Sequence, residues 1–249
     1  WDWLKTNGDQ INYAYLNRPH IAAKYVDYIK DYTKMKVIYY GHDLHFLRLG
    51  REYELTGDIH IKREADYWKS VELTMMHKAA VSYYPSYVEI NAIHAIDGSI
   101  HAKAITAYVY DTFLSNIQDD FAKREGLLFV GGFAHPPNAD AVLWFAREIF
   151  PAIRKRIPGI RFYVVGSKVT GEIQALGPEE GIVIKGFVSE EELKELYSAC
   201  KLVVVPLRYG AGVKGKVVEA IYHGAPIVTT STGAEGIPFV ESVLEIADE

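Results

Sequence analysis

Short apolar runs recur through the second half of the chain, at Leu127–Val130, Ile160–Gly166, Gly181–Gly186, Lys201–Pro206 and Pro226–Thr230. Each is rich in Val, Ile or aromatic residues, and none alternates cleanly between apolar and polar. A strand with one wet face alternates, whereas a strand covered on both faces reads as a continuous apolar run. Such strands build a parallel sheet, which sets the fold class of this half before anything else is considered.

The segments between the runs carry helical patterns. Asn138 is expected to cap a helix whose Val142, Phe145, Ile149 and Ile153 share one face, and Pro158-Gly159 ends it. Ser189 followed by Glu192 reads as a capping box, with Leu193, Leu196 and Cys200 along one side. Gly224 closes a third helix, with Pro226 just beyond. Strand and helix in repeated alternation imply right-handed crossovers and a doubly wound α/β sheet.

The first half reads similarly. A strand is expected at "INYAYL", a helix through about Asp31, and a strand at "MKVIYYGHD" ending in a polar loop. A long helix follows in "DIHIKREADYWKSVELTMMHKA", and "AAVSYYPS", a short helix near "YVEINAIHA" and a strand in "HAKAITAYVY" complete a second, smaller sheet. The polar stretch 111–126 lacks a strand pattern and is taken as the linker, giving domains 1–118 and 119–249.

Charge and cysteine content narrow the function. The net charge of −5 argues against a general nucleic-acid binder, because polyanion affinity rests on clustered Lys and Arg. Cys200 is the single cysteine, which rules out an internal disulfide framework and fits a reducing compartment, the cytoplasm. No apolar run approaches the ~20 residues that span a bilayer.

Ligands of open parallel sheets bind at the carboxyl ends of the strands. That rule selects Gly131-Gly132, the loop at Gly186, the segment "PLRYGAGVKGKVVEAIYHGAP" from Pro206 to Pro226, and the turn after Thr230. It also selects His42 in "GHDLH". In the long segment, glycines allow close backbone approach, a helix begins near Lys214 to Lys216, and Arg208, Lys214 and Lys216 supply charge. A helix N-terminus flanked by such cations suits a diphosphate. Glu219, one turn into the helix, suits a pair of sugar hydroxyls instead. The competing reading is a glycine-rich turn with solvated lysines. The His42–His45 spacing alone is a weak metal signature, so no metal is assigned.

These residues carry a resemblance. "LLFVGGF…PNADAVLWF", "RFYVVGS" and "IKGFVSEEELKELYSACKLVVVPLRYGAGVKGKVVEAIYHGAPIVTTSTGAEGI" look like the donor-binding domain of glycosyltransferase family 4, the glycosyl transferases group 1 domain, over roughly 125–240. "VIYYGHDLHFLR" resembles the later part of the N-terminal domain of such enzymes, especially those of bacterial surface-polysaccharide synthesis. The resemblance implies two Rossmann-like domains facing a cleft, the GT-B architecture. The chain starts partway through the N-terminal pattern, so that domain is expected to be incomplete, and it stops before the family's closing helices.

Residue by residue, the resemblance implies ribose binding by Glu219 and diphosphate binding by Arg208, Lys214, Lys216, Gly131 and Gly132. Gly186, Phe187 and Val188 match the loop at the nucleobase, and His42 matches a histidine that faces the donor sugar. Gly210, Ala211 and Glu235 fall near the donor sugar. Two departures stand out. The family's first glutamate is replaced by Ala211, and its usual Arg and Lys after the first strand are replaced by Gly132 and Pro137.

The expected function is transfer of a sugar from a nucleotide-diphosphate sugar to a glycan or lipid-linked acceptor, retaining and without a metal or other cofactor. Peripheral contact with the inner face of a membrane, as many relatives show, stays open. The alternative is a non-catalytic nucleotide-sugar binding module, or an inactive fragment. A Rossmann oxidoreductase is disfavoured because no G-x-G-x-x-G follows the first strand of either half.

Overall fold

The computed structural model describes residues 1–113 and 121–248. Contacts divide the described chain into two units, Trp1–Ala107 with Tyr209–Val213, and Tyr108–Arg208 with Lys214–Glu249. The division falls at 107/108, ahead of the linker expected at 111–126; residues 114–120 of that linker lie outside the described residues.

The first unit runs α1 (Asp2–Asn7), β1 (Tyr13–Asn17), α2 (Pro19–Tyr32), β2 (Lys36–Tyr40), α3 (His45–Thr56), α4 (Ile59–Lys78), β3 (Val81–Tyr84), α5 (Tyr87–Ile96) and β4 (Ala102–Ala104). Its strands pair in parallel in the order β1-β2-β3-β4. Val37, Tyr39 and Tyr84 join Ala22, Val26 and Ile29 of α2 and Met75 and Met76 of α4 in one core. Ser86 and Glu89 form a complete capping box at α5.

Two expectations for this unit need correction. The loop expected after β2 winds into α3, ended by Gly57 in the left-handed conformation. The last strand is shorter than expected, because pairing with β3 stops at Ala104. The tyrosines beyond it, Tyr108 and Tyr110, group with the second unit.

The second unit runs β5 (Leu127–Val130), α6 (Pro136–Trp144), a π turn (Phe145–Ile149), α7 (Phe150–Arg156), β6 (Phe162–Val165), α8 (Gly171–Gln174), β7 (Ile182–Gly186), α9 (Glu190–Ala199), β8 (Leu202–Val205), α10 (Gly215–Tyr222), β9 (Ile227–Thr229), α11 (Ser231–Ala234) and β10 (Glu245–Ile246). All five expected runs are strands. With β10 as a sixth strand they pair in parallel in the order β10-β9-β8-β5-β6-β7. The strand order reverses between β5 and β8. This is the doubly wound arrangement with its switch point beside the first strand of the unit.

The helix after β5 carries its apolar face as expected, but not as one regular helix. Pro151 has no N–H to return to the preceding turn, and the chain widens into the π turn just before it. Phe145 and Phe150 pack on Phe162 at 4.9 and 5.6 Å between ring centroids. Asn138 does not cap this helix. Pro136 at its start places the N-cap at His135, so Asn138 lies inside the first turn. Ser189 does cap α9, accepting from Glu192 N–H, but the Glu192 carboxylate pairs with Lys185 at 2.7 Å.

Candidate functional site

The switch point selects two loops, the one leaving β5 and the one leaving β8. The β5 loop begins with Gly131 and Gly132, and its shape depends on Gly166 at the end of β6. Gly166 has φ +155, and a Cβ there would sit 1.8 Å from the Gly131 carbonyl oxygen. Only a glycine lets the two strand ends approach this closely.

Lys216, in the first turn of α10, reaches back to this loop. Its Nζ donates to Asn138 Oδ1 and lies 4.7 Å above the centre of the Phe129 ring. A Cβ at Gly131 would come within 2.9 Å of the same nitrogen. Asn138 Nδ2 in turn donates to the Gly132 carbonyl at 2.8 Å. Burial, and then the neighbouring charge of Lys214, bring the Lys216 ammonium down from 10.5 to about 7. Gly131, Gly132 and Lys216 therefore meet in one place, through an asparagine that the sequence offered only as a helix cap.

The other expected cations are placed differently. Lys214 is buried at the N-cap of α10. Arg208 turns its fork to Asp140 in α6: Nε donates to Oδ2 at 2.9 Å and Nη2 to Oδ1. The guanidinium also lies 5.6 Å from the centre of the Trp144 ring. Nothing in the sequence joined Arg208 to Asp140, because the contact depends on β5 and β8 being neighbours.

Glu219 lies one turn along α10. Its Oε2 accepts from the Tyr197 hydroxyl at 3.3 Å, and the His223 ring stacks on Tyr197 at 4.9 Å. Tyr197 is wholly buried, and burial followed by the charge of Glu219 holds its phenol far above the ordinary value. Two further tyrosines close on the same helix. Tyr110 stacks on Tyr222 with centroids 4.0 Å apart, and the Tyr108 hydroxyl lies against Gly215 at the start of α10, where a Cβ would come within 2.5 Å of its oxygen. An oxygen at a helix N-terminus stands where an anion would be favoured. High tyrosine content was visible in the sequence; its convergence on α10 was not.

The loop expected at the nucleobase has a positive-φ Gly186, an 82 % exposed Phe187, and a Val188 packed against the core. Glu235 follows α11 directly.

In the first unit, His42 stands at the carboxyl end of β2. Its backbone adopts φ +46, a left-handed conformation uncommon outside glycine and a mark of local strain. Nε2 lies 2.7 Å from Asn17 Oδ1 at the end of β1. With that oxygen as acceptor, Nε2 carries the hydrogen, and Nδ1 of the neutral ring is an acceptor. Burial and then Arg18 lower the pKa of His42 below its ordinary value. His45 is engaged elsewhere, with Nδ1 at 3.3 Å from Glu72 and 3.8 Å from Asp43.

The segment Tyr209–Val213 joins this unit. Arg51 Nη1 donates to the Gly210 carbonyl at 2.6 Å, and the Tyr209 hydroxyl donates to Glu52 at 3.2 Å. Gly212 lies against the His42 carbonyl and Asp43, and Ala211 is buried between these contacts. The first unit thus gathers His42, Gly210 and Ala211, which the sequence had set far apart.

Residues 124–244 match the family described as glycosyl transferases group 1. A protein of the cps region of Klebsiella pneumoniae, described as an uncharacterized 44.6 kDa protein, is 31% identical over 116 residues, 44% of this chain and 30% of its own length. Among solved structures, Anabaena HepE in complex with UDP and glucose aligns with TM-score 0.59 at 19% identity, over 93% of this chain and 62% of HepE. A TarM from S. aureus, in complex with fondaparinux, alpha-GlcNAc-glycerol and UDP, aligns with TM-score 0.63 at 13% identity, over 88% of this chain and 42% of TarM. The OtsA apo structure aligns with TM-score 0.69 at 7% identity, over 98% of this chain and 64% of OtsA. The chain therefore spans less than two thirds of each of these relatives. At such identities the structures share the fold alone, two parallel α/β sheets of the GT-B kind. The match to the glycosyl transferases group 1 family thus falls on the second unit, whose strand order, glycine loops and α10 residues have just been described, and covers just under half of the chain.

Proposed function

We propose that this chain is the donor-binding part of a glycosyltransferase that moves a sugar from a nucleotide-diphosphate sugar to a glycan or lipid-linked acceptor, with retention and without a metal. The observation that carries the reading is the meeting of Lys216 with the Gly131-Gly132 loop at the switch point, one helical turn from Glu219. The presence of UDP in the HepE and TarM structures supports a nucleoside diphosphate as ligand. In this reading the diphosphate lies over the β5 loop and the N-terminus of α10. Lys216 and the α10 N–H groups stabilise the charge that grows on the departing diphosphate. Glu219 takes the ribose hydroxyls, and Arg208 serves the diphosphate after exchanging Asp140 for it. The Nδ1 of His42 accepts from a sugar hydroxyl. The reaction belongs in the cytoplasm, with the inner face of the membrane as the place of a lipid-linked acceptor. Among the described residues, no helix is long and apolar enough to cross a membrane.

Calorimetric titration with UDP, GDP, dTDP and NAD tests this. One nucleoside diphosphate binds wild type, and Glu219→Ala weakens it at least about tenfold, the loss of a hydrogen-bonded pair to a charged group. Binding of none, or of NAD alone, overturns the reading. A second reading, a nucleotide-sugar binding module without transfer, is favoured by the buried Ala211 where the family's first glutamate would stand. A measurable rate of donor hydrolysis or transfer excludes it.

A further inference from the structure

Asn138 is buried in the first turn of α6, 6 % exposed, and both ends of its amide are committed. Nδ2 donates to the Gly132 carbonyl at 2.8 Å, which leaves Oδ1 aimed at α10, where it accepts from Lys216 Nζ. An ammonium only donates and a backbone carbonyl only accepts, so this orientation of the amide alone satisfies both partners. Gly131 packs against the pair: a Cβ there would come within 2.9 Å of Lys216 Nζ and 3.0 Å of Asn138 Cγ. One side chain of α6 thus pins the amine of α10 to the loop that leaves β5.

The groups that touch the amine are neutral. Besides Asn138 it meets the Phe129 ring, 4.7 Å from the centroid. The carboxylates of α6 and α10 are engaged elsewhere: Asp140 pairs with Arg208, and Glu219 accepts from the Tyr197 hydroxyl. Burial and then Lys214, two residues earlier, push the pKa of the amine down. An enclosed ammonium held by an amide, with no carboxylate beside it, is poorly compensated, and an arriving anion compensates it.

We propose that Asn138 is a positioning residue of the donor site, which fixes the Lys216 amine at the β5 loop through a neutral acceptor and leaves the counter-charge to the diphosphate. This deepens the donor-site reading and rests on it. Charge, and not size, is what an asparagine supplies at this place. An aspartate of the same shape would pair with Lys216 before the ligand arrived and would repel the diphosphate.

The test compares Asn138→Asp with Asn138→Ser in the whole chain. NMR of the Lys216 Cε–H signals reads the titration of the amine without ligand, and calorimetry reads UDP affinity from pH 7 to pH 9. In Asn138→Asp the Lys216 titration is expected to move up by about 1–3 pH units, the effect of an opposite charge in contact. UDP binds that variant at least about tenfold more weakly than wild type at pH 7, and its affinity no longer falls between pH 7.5 and pH 9, because the amine stays charged. In Asn138→Ser the amine loses its acceptor and its titration does not rise. UDP binding to it weakens at least about threefold, the value of one hydrogen bond, and keeps its pH dependence. A purely structural role would move both variants the same way. An unmoved Lys216 titration in Asn138→Asp, or wild-type UDP affinity in Asn138→Ser, overturns the proposal; the second criterion decides alone where Asn138→Asp does not fold. Absence of UDP, GDP and dTDP binding to wild type, with the Lys216 titration still raised in Asn138→Asp, overturns the donor-site reading and the proposal with it. An unmoved titration beside normal UDP binding overturns the proposal and leaves that reading standing.

Discussion

The wholly buried carboxylate of Glu72 in α4 caps the helix that begins at His45, with Oε1 accepting the His45 N–H at 3.0 Å and Oε2 the neighbouring Phe46 N–H at 3.1 Å. The turn that carries His42 is thereby tied to the core of the first unit. Burial works to lower the pKa of His45, but its contacts with Glu72 and Asp43 outweigh this and raise it. Glu72→Gln keeps the shape and turns an amide N–H toward a backbone donor. A loss on the order of 1–3 kcal/mol is expected, read from the urea midpoint. A His whose pKa is raised on folding contributes stability that is complete below its unfolded value of 6.5 and fades as pH rises through the folded value. The difference between wild type and Glu72→Gln should therefore be larger at pH 6 than at pH 8.5. An equal difference at both would show that the cap, and not the imidazolium, supplies the whole effect.

If the proposed donor site is right, Lys216 should make nucleotide binding proton-linked. With its pKa lowered to about 7, the free protein holds this amine largely neutral at pH 8, and a bound diphosphate favours the charged form. Binding of UDP should take up a proton at pH 8, and affinity should fall as pH rises from 7.5 to 9.5. Titration in two buffers of different ionisation enthalpy measures the uptake directly. Lys216→Met should abolish it and weaken binding by at least about tenfold, roughly 1.4 kcal/mol.

On the proposed reading, Tyr108 should compete with an anion at the start of α10. Its hydroxyl lies against Gly215, the first residue of α10, so a phosphate taking the Gly215 N–H must displace it. Tyr108→Phe removes the hydroxyl from that place, and UDP affinity should rise by about threefold to tenfold, the value of one hydrogen bond. A weaker affinity in the variant would show that the phenol contacts the ligand and does not block it.

Gly166 fixes the β5 loop. An alanine there would place its Cβ 1.8 Å from the Gly131 carbonyl oxygen, at a positive φ. Gly166→Ala should cost on the order of 3 kcal/mol or more, because backbone must move. Since Lys216 contacts the same loop, UDP binding should weaken as well. A variant with normal stability and normal binding would show that the strand ends are free to part.

The sequence by itself determined the elements and their class. Burial on both faces is recorded locally, as apolar runs at β5 to β9, and caps such as Ser189 sit beside the helices they start. The glycines, Lys216 and Glu219 were also legible, because a strand end followed by a helix start is a local pattern. Tertiary structure decided which of these residues meet. Arg208 finds Asp140 68 positions away, and Lys216 finds Asn138 78 positions away, only because β8 pairs beside β5. Glu72 reaches His45 because α4 packs on α3, a helix whose apolar pattern is too short to stand out. Strand order and helix packing depend on the whole chain's burial, and no window of the sequence contains it.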